Sequence, residues 1–160
     1  MKTLARVLAT WFGSGYAPKG PGTAGSLGAL LVAWPLRHQP PWFFPLLALV
    51  LLAPAIWSAG STALQVGKKD PQIVVIDEVI GQWISLAGAA LYSPAAWIAA
   101  FLLFRAFDIW KPWPVRQLEK LPGGTGIVMD DVMAGIYAAL VMYLAGLWNN
   151  SISKFLYGIS

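Results

Sequence analysis

The charged residues of this chain are concentrated in one stretch, and the sequence around that stretch is strongly apolar. Residues 105–131 hold four of the seven acidic and four of the eleven basic residues. Hydrophobic residues make up 58% of the 160 residues and charged residues only 11%, against roughly 25% in an average soluble domain. This composition predicts an integral membrane protein. The polar stretch is then a loop between membrane helices, an ion-pair cluster, or a reaction centre for an anionic substrate.

Apolar segments of helical length indicate how the chain is organised. A short amphipathic helix and a Gly/Pro-rich loop in residues 1–23 are followed by five apolar segments: 24–36, 42–63, 73–91, 95–107 and 132–148. A membrane-spanning helix needs about 20 residues, so the third and fifth segments span only if their acidic pairs lie on helices at the membrane boundary. We therefore predict an all-α fold, a compact helical bundle with about five membrane segments in a single domain, 1–160. The alternative is a helical bundle with an unusually apolar core.

The distribution of basic residues predicts which side of the membrane the polar motifs face. With the N-terminus inside, nine basic residues lie on the inner face, and only Arg37 and Lys154 lie outside. The same topology places residues 20–26, 70–78 and 105–131 together on the inner face. Cysteine is absent, which excludes thiolate catalysis and thiolate metal sites. The sequence also lacks a continuous basic face, so no nucleic acid is expected as a partner.

Two acidic pairs in apolar surroundings are the most informative motifs. Each pair is followed by Val, and a glycine stands four residues after one carboxylate of each; the residues are Asp77, Glu78 and Gly81, and Asp130, Asp131 and Gly135. Carboxylates in an apolar helix are costly and usually serve a function, and glycines let a neighbouring helix approach closely. Oxygen ligands alone favour Mg²⁺, Mn²⁺ or Ca²⁺. Alternatively, the second pair caps a helix N-terminus.

Cations lie beside these acids in the sequence. Asp108 follows Arg105 at a helical ion-pair spacing, and Lys111 and Arg116 flank a proline-stiffened turn. Carboxylates for a metal and cations for a phosphate would suit one shared site. A structural salt bridge or a basic loop on the membrane surface would explain the same residues without a substrate.

Two glycine-rich stretches complete the set, at residues 19–26 and 121–126. Amides at a glycine-rich helix N-terminus can hold phosphate, and Thr23 or Ser26 could add a hydroxyl donor. The spacing of a P-loop is absent, so the glycines alone say little. Helix capping explains both stretches equally well.

Four motifs together closely resemble the phosphatidylglycerophosphatase A family: PGTAGS at 21–26, DPQIVVIDEVIGQW at 70–83, FRAFDIWKPWPVRQLE at 104–119 and LPGGTGIVMDDVMAGIYA at 121–138. The resemblance covers about two-thirds of the chain. It implies a multi-pass bacterial inner-membrane enzyme of glycerophospholipid biosynthesis, with its active site on the cytoplasmic face. Such an enzyme uses Mg²⁺ to remove the terminal phosphate of phosphatidylglycerophosphate, which leaves phosphatidylglycerol.

On this interpretation each polar residue acquires an expected role. The metal ligands are Asp77, Glu78, Asp130 and Asp131. Asp77, Asp108 and Asp131 are expected to be catalytic, with Asp108 a further ligand or the base. The phosphate is expected to contact Arg105, Lys111, Arg116, Thr23 and Ser26. Attack by water and an aspartyl-phosphate intermediate both remain open, as does the oligomeric state.

The main alternative is a small membrane transporter or channel whose intramembrane carboxylates form an ion path. Acids along an ion path would be spread through the membrane, whereas here they gather at one face beside cations. A CDP-alcohol phosphotransferase is a further rival, but its DG…AR…G…D…D pattern is missing.

Overall fold

The computed structural model describes residues 1–89 and 93–157, the last ten of these by backbone alone. The described part is helical and contains no β-strand, which confirms the all-α prediction. Its α-helices are α1 (Lys2–Ala9), α2 (Pro21–Ala33), α3 (Phe43–Val66), α4 (Ile76–Ser85), α5 (Pro94–Trp110), α6 (Val115–Leu118) and α7 (Gly123–Tyr157). Short 3₁₀ helices cover Ser14–Tyr16, Trp34–Leu36 and Leu86–Gly88.

The number of candidate membrane spans differs from the prediction. Among the described residues, only α3 and residues 123–147 of α7 are long and apolar enough to cross a membrane, not five segments. Helices α2, α4 and α5 have 13, 10 and 17 residues. At 1.5 Å per residue they are about 20, 15 and 26 Å long, shorter than the roughly 30 Å of a hydrocarbon core. The prediction of five spans was wrong because it took apolar content as a sign of lipid contact.

Helix α4 shows where much of that apolar content is used. Eight of its ten residues are buried, and it packs against α2, α3, α5 and α7. Its large apolar side chains, including Ile76, Ile80 and Trp83, belong to the main hydrophobic core. The third apolar segment is therefore largely a core helix, and its N-terminal turn carries Asp77 and Glu78.

Helices α4 and α7 cross in close contact at two glycines. A Cβ atom on Gly81 would lie 2.6 Å from the backbone oxygen of Asp131, and a Cβ atom on Gly135 would overlap the backbone oxygen of Gly81. Any side chain at either position would push the helices apart. The glycines thus allow the close helix approach expected from the sequence, and the two acid-pair helices meet there. The crossing brings Asp77, one turn before Gly81, next to Asp131, one turn before Gly135.

The position at which α7 starts shows that its acidic pair does not cap the helix. The helix begins at Gly123, within the predicted glycine-rich loop, and not near Val132. Asp130 and Asp131 therefore lie about two turns inside the helix. A residue so far from the first turn cannot cap it, and the capping alternative is excluded.

Candidate active site

A polar cavity of about 250 Å³ opens where the three predicted polar motifs meet. It is lined by the turn into α2, by residues 70–78, and by the facing parts of α5 and α7. Its polar lining residues are Asp70, Gln72, Asp77, Glu78, Arg105, Asp108, Lys111, Asp130 and Asp131, together with the backbone of residues 20–22. Six of the seven acidic residues of the chain therefore face one cavity. The predicted convergence of the motifs is confirmed.

Three carboxylates form a compact cluster in this cavity. Asp77, Glu78 and Asp131 each place one oxygen within 4.8 Å of the others. Asp77 is 8% and Asp131 3% exposed. Asp77 Oδ1 and Glu78 Oε2 are buried and have no hydrogen-bond partner among the described residues. Because buried acceptors are normally satisfied, these two oxygens are suited to a positively charged ligand, and hard oxygen ligands at this spacing fit a divalent cation.

Burial also changes the proton affinity of this cluster. It raises the pKa of Asp77 well above its ordinary value, and the neighbouring charge of Glu78 raises it further. Burial likewise raises the pKa of Glu78, although the adjacent Asp77 carboxyl and the charge of Arg105 work in the opposite direction. Without a cation, the two carboxyls therefore hold protons more strongly than exposed acids do.

Arg105 lies beside the cluster and is held by two acids. Its Nη1 atom is 2.7 Å from Asp108 Oδ2 and 3.8 Å from Glu78 Oε1. The predicted ion pair between Arg105 and Asp108 is therefore present. Neither Nε nor Nη1 makes a contact with hydrogen-bond geometry, so the close approach to Asp108 is an ion pair only. The guanidinium therefore lies at the cavity with Nη1 held by Asp108, and its charge is available to an anionic ligand.

Lys111 binds only one carboxylate of the second acidic pair. Its Nζ atom donates a hydrogen bond to Asp130 Oδ2 at 2.7 Å and lies 3.4 Å from Glu119 Oε2. Burial alone would lower the pKa of Lys111, but the bond and charge of Asp130, with Glu119, outweigh it and raise that pKa. Asp130 is thus occupied by a lysine, while its neighbour Asp131 joins the carboxylate cluster. Of the four predicted metal ligands, Asp77, Glu78 and Asp131 form the cluster, and Asp130 binds Lys111 instead.

Three predicted phosphate contacts do not line the cavity. Arg116 is exposed on α6, and Thr23 is exposed on the first turns of α2. Ser26 is buried, and its hydroxyl donates a hydrogen bond to the backbone oxygen of Gly22. Of the five residues predicted to contact the phosphate, only Arg105 and Lys111 therefore face the cavity.

Two features of the cavity were not predicted from the sequence. A Cβ atom on Gly22 would overlap Glu78 Oε1 and lie 3.2 Å from Arg105 Nη1, so the backbone of α2 lies directly against the site. The sequence feature that indicated this contact was the PGT stretch at residues 21–23. Only phosphate binding or helix capping had been predicted for it. Asp70, which has no assigned role within the predicted motif 70–78, stands exposed at the cavity rim. Its position seven residues before Asp77 was the only hint.

Comparisons with known proteins give a family match and named relatives. The sequence model of the family "Phosphatidylglycerophosphatase A" matches residues 7–146. Phosphatidylglycerophosphatase A of Escherichia coli K12 is 39% identical over 88% of this chain and 82% of its own length. The protein of that name from Haemophilus influenzae Rd is 38% identical over 89% of this chain and 88% of its own.

A further relative carries a different name. A protein of Bacteroides thetaiotaomicron, provisionally named a phosphatidylinositol-3-phosphatase, is 40% identical over 87% of this chain and 91% of its own length. No solved structure matches the chain significantly. The family match spans every residue of the carboxylate cluster and both cations beside it. The chain belongs to the phosphatidylglycerophosphatase A family.

Proposed function

We propose that this chain hydrolyses the terminal phosphomonoester of phosphatidylglycerophosphate and releases phosphatidylglycerol and phosphate. The observation that carries this proposal is the cluster of Asp77, Glu78 and Asp131 with the guanidinium of Arg105 beside it in the same cavity. A phosphomonoester bears two negative charges near neutral pH, and three carboxylates alone would repel it. Such a site suits phosphate only when a cation is bound with it.

Asp77, Glu78 and Asp131 would hold Mg²⁺ in this proposal. Their oxygens are hard ligands without nitrogen or sulfur, which favours this ion over zinc. When bound, Mg²⁺ would supply charge for the phosphate oxygens and lower the pKa of a bound water. The buried and unpaired oxygens of Asp77 and Glu78 support this assignment independently of the family name.

The other cavity residues would orient the phosphate and move its protons. The guanidinium of Arg105 would donate hydrogen bonds to phosphate oxygens, and Asp108 would fix its orientation through the 2.7 Å ion pair. Lys111 would add positive charge while keeping Asp130 neutralised. The backbone at Gly22 closes the wall opposite these side chains. Asp108, which lines the cavity, is the candidate base for the attacking water.

The apolar surface and the distribution of basic residues support a proposed location. Two helices are candidates to span a membrane, and Ile109, Trp110 and Trp113, which follow the cavity residues of α5, are 74%, 70% and 76% exposed. Exposed tryptophans are typical of a membrane interface. We place the cavity at the cytoplasmic face of a bacterial inner membrane, where phosphatidylglycerol is made during glycerophospholipid biosynthesis.

A transporter is less well supported by the same geometry. The cavity acids are gathered in one cavity, where Asp108 is paired with Arg105 and Asp130 with Lys111; an ion path would instead need acids spread along the membrane. Phosphatidylinositol 3-phosphate is the second substrate to compare, since one relative is named as a phosphatidylinositol-3-phosphatase.

Phosphate release from purified protein tests the proposal. Phosphatidylglycerophosphate, phosphatidylinositol 3-phosphate and phosphatidic acid are presented in mixed micelles with Mg²⁺ or with EDTA. We expect rapid, chelator-sensitive release from phosphatidylglycerophosphate. Asp131→Asn should lower kcat by about 10²–10³, as removal of a transition-state contact typically does.

The control variant is Gln117→Ala, which changes an exposed residue of α6 outside the cavity and should keep wild-type activity. Undiminished hydrolysis in EDTA, or by Asp131→Asn, would refute the metal-dependent site. Faster hydrolysis of the inositol lipid would refute the assigned substrate.

A further inference from the structure

A second cavity, wholly apolar, lies between α2 and α5. It is an open groove of about 300 Å³, and every described residue that lines it is apolar. Leu27, Leu31 and Trp34 form one wall, and Trp97, Ile98 and Phe101 form the other. Leu31 and Ile98 remain 75% and 61% exposed. Exposed apolar surface of this shape marks a site for an apolar ligand or partner.

The groove and the polar cavity lie along the same pair of helices. At one end of the pair, Gly22 of α2 meets Arg105 of α5 in the polar cavity. At the other end, the rings of Trp34 and Trp97 are in edge-to-face contact, with centroids 5.1 Å apart. The two helices therefore run antiparallel.

Helix geometry gives the distance between the two sites. Leu27 lies five residues after Gly22 and Phe101 four residues before Arg105, so the groove begins about 6–8 Å from the polar cavity along the helix axes. It then continues along the helices for about 10 Å, the rise of the seven residues from Leu27 to Trp34.

We propose that this groove binds an acyl chain of the lipid whose phosphate occupies the polar cavity. The inference rests on the proposed function, because in a phosphorylated diacyl lipid the phosphate and the acyl chains are covalently joined. A site for the phosphate at one end of the helix pair therefore restricts the chains to nearby surfaces. The groove is apolar, begins within one or two helical turns of the cavity and runs directly away from it.

The physical effect of this groove is positioning. An acyl chain that leaves the bilayer for an apolar groove exchanges one apolar environment for another, so it gains little affinity. Fixing the chain does, however, reduce the orientations available to the phosphate at the carboxylates, and such orientation contributes to rate. Obstruction of the groove should therefore slow the enzyme on lipids with long chains and spare the head group alone.

Groove-filling variants test this selectively. Leu31→Trp and Ile98→Trp enlarge exposed side chains inside the groove, and Leu49→Trp, at a position 65% exposed on α3, is the matched control outside it. Each protein is assayed on dioleoyl phosphatidylglycerophosphate and on its deacylated head group. Both groove variants should lose at least tenfold in kcat/KM on the long-chain lipid and less than twofold on the head group, while the control changes neither. Equal losses on both substrates, or no loss, would overturn the proposal.

A binding experiment gives a readout without turnover. The photoreactive probe is a phosphatidylglycerophosphate with a diazirine in one acyl chain, and phosphatidylcholine with the same chain reports general lipid contact. We expect the anionic probe to label residues 27–34 and 94–101 preferentially. That labelling should be displaced by unlabelled phosphatidylglycerophosphate and lost in Leu31→Trp.

Three results separate the possible failures. Equal labelling by both probes would show ordinary lipid contact and would contradict an acyl-chain site. A change of oligomeric state in both groove variants, with lipid selectivity unaltered, would identify a second copy of the chain as the occupant and also contradict it. Failure of the wild-type protein to hydrolyse phosphatidylglycerophosphate would instead refute the proposed function.

Discussion

Replacing Asp77 by asparagine should stabilise the metal-free protein while removing its activity. In the carboxylate cluster, ligand oxygens of Asp77, Glu78 and Asp131 lie within 4.8 Å of one another. Two unit charges at that distance repel by about 3.5 kcal/mol at an effective dielectric constant of 20. Asp77 faces two such neighbours, so its ionised form is strongly disfavoured when no cation is present.

The destabilisation caused by ionised Asp77 cannot exceed the free energy needed to protonate it. Keeping a carboxyl with an ordinary pKa of 3.8 protonated at pH 7 costs about 4 kcal/mol. The asparagine variant removes the charge without a proton and leaves the side-chain volume nearly unchanged. Its free energy of unfolding in EDTA should therefore exceed that of the wild type by about 1–4 kcal/mol. For a chain of this length, each kcal/mol corresponds to about 2–4 °C in Tm.

The pH dependence has a definite sign. Because burial raises the pKa of Asp77 in the folded state, the folded protein binds more protons than the unfolded chain above the ordinary value of 3.8. The stability of the metal-free wild type should then fall as pH rises from about 4 toward the raised pKa. The asparagine variant should show a smaller fall.

Thermal unfolding in detergent, followed by far-UV circular dichroism, measures these effects with EDTA or with excess Mg²⁺. Binding at 100 times Kd would stabilise the wild type by about 2.7 kcal/mol, and the variant should gain far less. Asp70→Asn, at the exposed cavity rim, should change the Tm in EDTA much less. If Asp77→Asn were less stable than the wild type in EDTA and gained equally from Mg²⁺, the proposed electrostatics of the cluster would be wrong.

Three further predictions concern helix packing, the ion pair and sidedness. Gly135→Ala should lower the Tm markedly because its Cβ would overlap a backbone oxygen of α4, whereas Gly146→Ala, with nothing within 4 Å, should not. Lys111→Met should destabilise the fold by about 3–5 kcal/mol because it leaves Asp130 buried and unpaired. Adding Asp130→Asn to this variant should restore most of the lost Tm. A double variant with no restored Tm would contradict the pairing. A cysteine at Gln117, in this cysteine-free chain, should react with an impermeant thiol reagent only after cells are opened; labelling of intact cells would refute the cytoplasmic cavity.

The helical fold and the place of the acids were predictable because both depend on short-range patterns. Acids next to glycine in an apolar run imply a close helix crossing, and Gly81 and Gly135 form that crossing. The span number was not predictable from the same patterns. A buried helix such as α4 and a lipid-facing helix have equally apolar sequences, and only packing distinguishes them.

The division of the second acidic pair also depends on tertiary structure. Lys111 lies 19 residues before Asp130 in the sequence, so no helical spacing indicates that they meet. The left-handed backbone of Lys111 ends α5 and turns the chain toward α6. Likewise, the three glycines among residues 123–126 favour a loop by propensity, yet they lie in the first turn of α7. In each case, packing overrides local preference.

The most direct test of the carboxylate site measures cation binding without turnover. Mn²⁺ accepts the same oxygen ligands as Mg²⁺, and its electron paramagnetic resonance signal distinguishes free from bound ion during a titration of the purified protein. We predict that the wild type binds Mn²⁺ in competition with Mg²⁺, that Asp77→Asn and Asp131→Asn bind it at least tenfold more weakly, and that Gln117→Ala is unchanged. Equal Mn²⁺ binding by the wild type and both cluster variants would contradict the assignment of Asp77, Glu78 and Asp131 as the metal ligands.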